Sequence, residues 1–216
     1  MAVIALTTMG PEPSVVTSSD QFDRDGPAIL IQGGDRQQLE VDREECNASY
    51  DLRVGELFRD HRSLEGQELG ASDEINLLPG NAVIIETEEW VEFPKWRFGQ
   101  ILPRVSLLQQ GIANTPSKVD PGYKGRLLIT AFNHGKRTVS LRRGQRFCSL
   151  HVFDVTGAVR PYDKPGKRIS GARRATGWRR RLRDWIDANV PTVTLVQTVL
   201  TLGSVAIATF ALVAHK

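Results

Sequence analysis

Apolar residues in this chain come in short runs that alternate with polar ones or are cut by Gly, Pro and Asn. Residues 28–32 form one such run, closed by Gly33-Gly34. In 49–54, Tyr50, Leu52 and Val54 share a face, the period-two signature of a half-buried strand, and Gly55 follows. Residues 75–78 lead into the Pro79-Gly80-Asn81 turn. Segments 82–87, 90–93 and 97–102 are rich in β-formers. Three further strands are expected over 127–132, 137–141 and 147–152, punctuated by Asn133-His134-Gly135 and Arg143-Gly144. Residues 38–45 fit either strand or helix, and 59–73, charged and Gly-containing, read as a loop. One internal helix is expected over 106–111, after Pro103 and capped by Gly111. Short strands at this spacing predict an all-β jelly roll, sandwich or closed barrel with little helix.

Between two apolar runs lies Lys118-Val-Asp-Pro-Gly-Tyr-Lys-Gly125. Pro121 sets φ at the turn entry, and Gly122 and Gly125 permit positive φ while leaving the backbone bare. The pattern reads as a tight hairpin holding Asp120 and Tyr123 at its mouth, where a small polar ring can be gripped.

The net charge of +3 hides an asymmetry. Residues 164–183 carry nine Lys or Arg and no acid, so the remaining 19 basic residues face 25 acidic ones. After this block, residues 190–214 run 25 positions without a charge. A hydrocarbon core of ~30 Å needs about 20 helical residues, so a single transmembrane helix is expected there. Trp178 and Trp185 then stand as interfacial anchors, and the basic flank keeps the β domain cytoplasmic. Thr194, Thr198 and Thr201 fall on one helical face, where they either permit close approach of other anchors or back-bond to their own helix. Beside a membrane, the basic block favours anionic lipid, and no nucleic-acid partner is expected. The resulting organisation is a flexible arm over 1–26, a β domain over 27–165, a basic juxtamembrane segment over 166–189 and the helix over 190–214.

Cys46 and Cys148 have no metal or disulfide spacing and read as buried and reduced. Neither Cys nor any of the four His is spaced as a metal-ligand set. Glu86, Glu88, Glu89 and Glu92 read as solvated strand-end acids, and His134 as a solvated turn residue.

Seven segments in order resemble the dCTP deaminase/dUTPase superfamily, leaning to its deaminase branch. They are Asn47-Ala-Ser-Tyr-Asp-Leu-Arg-Val-Gly55, Leu78-Pro-Gly80, Pro103-Arg-Val-Ser-Leu-Leu-Gln-Gln-Gly111, Val119-Asp-Pro-Gly-Tyr-Lys-Gly125, Phe132-Asn-His-Gly135, Arg143-Gly-Gln-Arg-Phe147 and Val159-Arg-Pro-Tyr162. The resemblance implies a jelly-roll-like core, a homotrimer with sites at subunit interfaces, and a pyrimidine deoxynucleoside triphosphate carried with Mg²⁺. It implies Asp120 as the residue that contacts the sugar and orients the attacking water. Tyr123 is implied to pack on the deoxyribose, and hairpin backbone groups to read the base. Arg104, Ser106, Gln109, Lys118 and Arg146 are implied to bind nucleotide, with no protein metal-ligand set.

The departures matter. Ten positions past the aspartate, where the deaminases carry a catalytic glutamate, stands Thr130, which cannot shuttle a proton as a carboxylate does. Val105 replaces a phosphate-motif serine, Gln109 an arginine, and Ser149 the fourth-motif glutamine. No Gly-rich, Phe-containing lid motif follows. Three readings stay open: a membrane-held nucleotide sensor without catalysis, a dUTP or dNTP diphosphohydrolase using Asp120 and Mg²⁺, and, less favoured, an active dCTP deaminase.

Overall fold

The computed structural model describes residues 2–41, 46–63 and 65–171, together with Thr194, Gln197, Thr198, Leu200, Thr201 and Ser204. The chain divides into two units, 1–174 and 175–216.

The first unit is all-β. Its strands are β1 (Val15–Val16), β2 (Ile29–Gln32), β3 (Tyr50–Asp60), β4 (Gln67–Glu68), β5 (Glu74–Leu77), β6 (Ala82–Glu92), β7 (Arg97–Pro103), β8 (Ile112–Asn114), β9 (Ser117–Val119), β10 (Lys124–Asn133), β11 (Val139–Arg142) and β12 (Arg146–Asp154). Two four-residue helices, α1 (Arg36–Leu39) and α2 (Val105–Leu108), interrupt them. The strands follow the order β1-β2-β6-β3-β12-β7-β9; β10 pairs with β6 and with β8, and β11 with β5.

Strand β3 belongs to both halves of this sheet. Its first residues pair with β12 and its later ones with β6, the register shifting between Val54 and Phe58. Gly55 lies at the switch. A Cβ there would meet the Glu86 carbonyl oxygen at 2.5 Å, so the crossing requires glycine. The core between the halves is built from Tyr50, Leu52, Ile85, Val91, Ile101, Ile129 and Leu150, all essentially inaccessible.

Several expectations change. Residues 59–73 are not a single loop, since β3 extends to Asp60 and β4 falls within it. Segments 82–87 and 90–93 merge into the eleven-residue β6. The helix expected over 106–111 is α2, one residue earlier, with a turn running on to Gly111 at φ +86°. Residues 2–26 pack rather than trail. Leu6, Thr7, Val15 and Val16 are buried, and the Thr7 hydroxyl donates to the Val41 carbonyl at 2.7 Å.

The acidic residues of β6 are the largest departure. Glu86, Glu89 and Glu92 are buried, not solvated. Arg53 Nε lies 2.7 Å from Glu89, Arg24 Nε 3.0 Å from Glu92, and Arg126 Nε 3.8 Å from Glu86. A buried carboxylate needs a counter-charge and hydrogen bonds, and each of these has both. Cys148 is buried, and burial pushes its thiol well above the usual range; Cys46 is half-buried.

The membrane localisation is overturned: among the described residues no helix is long and apolar enough to cross a bilayer. Most of 190–214, and all of 172–189, lies outside the described residues. The six described residues of the second unit are helical and exposed. The Thr198 hydroxyl donates to the Thr194 carbonyl and that of Thr201 to Gln197, each at 2.8 Å. These hydroxyls therefore back-bond to their own helix.

Candidate active site

The predicted hairpin is formed. Tyr123 N–H donates to the Asp120 carbonyl at 3.0 Å, closing a turn with Pro121 and Gly122 at its centre. Gly122 has φ +80°, as the second central position of a type II turn requires. Asp120 stays partly accessible, its carboxylate 2.8 Å from Lys118 Nζ. Lys118 itself points largely into solvent.

The tip backbone is already spoken for. Gly122 N–H donates to the Phe93 carbonyl, Phe93 N–H to the Tyr123 carbonyl, and Tyr162 N–H to the Pro121 carbonyl at 2.7 Å. The Gly122 N–H is therefore committed, while the Pro121 and Tyr123 carbonyl oxygens each keep a second lone pair. Tyr123 is likewise engaged. Its hydroxyl donates to the Arg126 carbonyl at 2.6 Å, and its ring lies 5.5 Å from that of Tyr162. Burial, with the nearby Tyr162 and Glu86, pushes its phenol up to about 12.

The remaining candidates gather elsewhere. Arg104 Nε lies 3.1 Å from an Asp51 carboxylate oxygen, and its Nη1 donates to the Arg146 carbonyl at 3.2 Å. The Ser149 hydroxyl donates to the other Asp51 oxygen at 2.6 Å. Arg146 Nη2 pairs with Asp35. Partial burial raises the Asp35 carboxyl, but the hydrogen bond and charge of Arg146, with Gln37 N–H, outweigh it and hold it below its ordinary value. Ser106 and Gln109 lie exposed on and after α2, beside Val105 and Leu108, which are 68% and 52% exposed. The face carries two arginines, each paired with an aspartate, and the Ser106 and Ser149 hydroxyls.

The two groups do not meet within one chain. Val119 pairs with Gly99 on β7, which places Asp120 level with Phe98. Arg104 is six residues along, roughly 20 Å at strand rise. Lys118, opposite Gln100, is about 13 Å away by the same measure.

Asp51 and Asn114 were not singled out in the sequence. Asp51 sits in a quoted motif but reads there as one more strand acid. Asn114, on β8 opposite Ala131, is 5% exposed. Its Nδ2 donates to the Thr115 carbonyl, while its Oδ1 is buried without a hydrogen-bond partner among the described residues. Thr115 N–H in turn donates to the Thr130 carbonyl, so this orphan acceptor lies at the base of the hairpin strands. The sequence signal was its phase: Ile112 and Asn114 share the buried face of β8.

No cluster of three or more His, Cys, Asp or Glu among the described residues is placed to hold a metal. Asp51 and Asp35, each paired with an arginine, are oxygen donors of the kind Mg²⁺ takes.

Residues 28–155 match the family described as dCTP deaminase-like. The chain is similar to a dCTP deaminase of Thermococcus gammatolerans, 33% identical over 157 residues, covering 72% of this chain and 92% of the relative. It is also similar to a probable deoxyuridine 5'-triphosphate nucleotidohydrolase of Methanothermobacter thermautotrophicus, 30% identical over 120 residues, covering 51% and 80%. Among solved structures, native EIAV dUTPase aligns at 24% identity and a TM-score of 0.44, covering 64% of this chain and 99% of that one.

Proposed function

Because this chain belongs to the dCTP deaminase-like family, we propose that it binds a pyrimidine deoxynucleoside triphosphate and releases diphosphate from it, without deaminating the base. The observation that carries this reading is the formed hairpin. It holds an accessible Asp120 carboxylate beside Lys118, while Thr130 stands where deamination needs a second carboxylate. In the reaction, Asp120 orients a water and takes its proton. The water oxygen bonds to the α-phosphorus, the α–β bridging bond breaks, and diphosphate leaves. Arg104, Arg146, Ser106 and Gln109 hold phosphate oxygens. Mg²⁺ would neutralise the phosphate charge, and Asp51 and Asp35 are the carboxylates that would hold it.

The roughly 20 Å between Asp120 and Arg104 favours a site shared between protomers, the hairpin of one meeting the arginines of another. The exposed Val105 and Leu108 flank that arginine face and suit burial in a homotrimer. Asn114 supplies the base-reading acceptor, because a ring N–H or exocyclic amine would satisfy its orphan Oδ1. A purely sensing role drew its appeal from the membrane anchor, and without that support hydrolysis is the stronger reading.

Incubating the full chain with dUTP or dCTP and Mg²⁺ tests this. Diphosphate release that falls at least about a hundredfold in Asp120→Asn supports it, by analogy with general-base losses. Ammonia release from dCTP, or nucleotide binding with no turnover, would sink it.

A further inference from the structure

A groove of about 880 Å³ lies against the hairpin, and none of the seven candidate residues lines it. Its volume falls in the range of small-molecule sites, roughly 300–1,000 Å³. Trp90 and Glu92 at the end of β6 line it, together with the bare backbone of Gly122 and Gly125. The segment that follows β12 lines it too. That segment rests on the hairpin at two points. A Cβ on Gly122 would lie 2.9 Å from Pro161, and one on Gly166 would lie 2.7 Å from the Lys124 carbonyl oxygen. Beyond, Ile169 is buried and its N–H donates to Glu86 at 3.3 Å, which fastens the segment down.

Six Lys or Arg and three Asp or Glu line the groove. The acids are satisfied internally. Glu92 is shared by Arg24 at 3.0 Å and Lys124 at 3.4 Å, Asp25 pairs with Lys95, and Asp163 lies 3.9 Å from Arg160. Arg126 is spent on the Thr87 and Glu88 carbonyls. Lys164 and Arg168 are exposed and have no acidic partner among the described residues. The result is a groove of net positive charge, lined by two cations without an acidic partner among the described residues and by bare glycine backbone.

We propose that this groove is a second binding site, for a small molecule bearing an oligophosphate, held by Lys164 and Arg168 beside Gly122 and Gly125. The site is independent of the catalytic reading above, because it uses none of the same side chains. Its occupant ties the segment after β12 to the hairpin, so occupancy restrains the hairpin that carries Asp120.

Calorimetric titration of the full chain with inorganic triphosphate, without Mg²⁺, tests the proposal. Wild type and Arg104→Gln both bind it, while the paired change Lys164→Gln with Arg168→Gln weakens the Arg104-independent binding at least about tenfold. Both residues are exposed, so their neutralisation leaves the fold intact. Equal affinity in Arg104→Gln with and without the paired change overturns the proposal, as does loss of all triphosphate binding in Arg104→Gln alone. Absence of triphosphate binding in wild type overturns it equally.

Discussion

Replacing Arg53 by methionine isolates the charge that locks the two halves of the sheet together. Glu89 is fully buried, and its carboxylate accepts from the Tyr50 hydroxyl at 2.9 Å, Arg53 N–H at 3.0 Å and Arg53 Nε at 2.7 Å. The substitution removes the guanidinium but keeps the other two donors. An uncompensated buried charge costs roughly 3–5 kcal/mol, against a whole-domain stability of about 5–15 kcal/mol. With a urea slope near ~2 kcal/mol/M, the unfolding midpoint followed by tryptophan fluorescence falls by about 1.5–2.5 M. Adding Glu89→Gln removes the orphan charge and brings the midpoint back to within about 1 M of wild type. A single-variant loss below about 1 kcal/mol would mean that Glu89 does not rely on Arg53 for its charge, and the explanation of the buried acids on β6 would fail.

Further outcomes follow from the same contacts. Asp35 has a folded pKa held below 3.8, so its contribution is present above that value and lost as pH falls through the folded pKa. The stability gap between wild type and Asp35→Asn, from urea melts at successive pH values, is constant near neutrality and closes below about pH 3.8. Asn114→Leu leaves the affinity for inorganic triphosphate unchanged but weakens dUTP binding about tenfold, as the loss of one buried hydrogen bond predicts. Thr130→Val changes diphosphate release by less than about twofold, because the threonine shuttles no proton.

The hairpin was legible because its information is local. Proline, two glycines and the flanking apolar runs lie within eight residues, and Gly122 adopts the positive φ they demand. Several strand segments around it along the chain were legible for the same reason. The acids of β6 were not, because a glutamate in a strand reads as an exposed position unless its counter-charge is in view. Arg53 and Arg24 come from 36 and 68 residues away, and only the tertiary fold brings them in. The separation of Asp120 from Arg104 was equally invisible, since motif order carries no distance. It appears once β9 is seen to pair with the middle of β7, residues 99–101, rather than with its end. Residues 2–26 looked loose because their polar composition conceals Leu6, Val15 and Val16, single anchors that seat the segment on the sheet.

The shared site is tested most directly by complementation. Asp120→Asn and Arg104→Gln are each expected to lose nearly all diphosphate release from dUTP. Co-assembled in equal amounts, random trimers place an intact hairpin against intact arginines in about a quarter of sites, and activity returns to about a quarter of wild type. No recovery in the mixed assemblies, with both variants folded and trimeric, would contradict a site built between protomers.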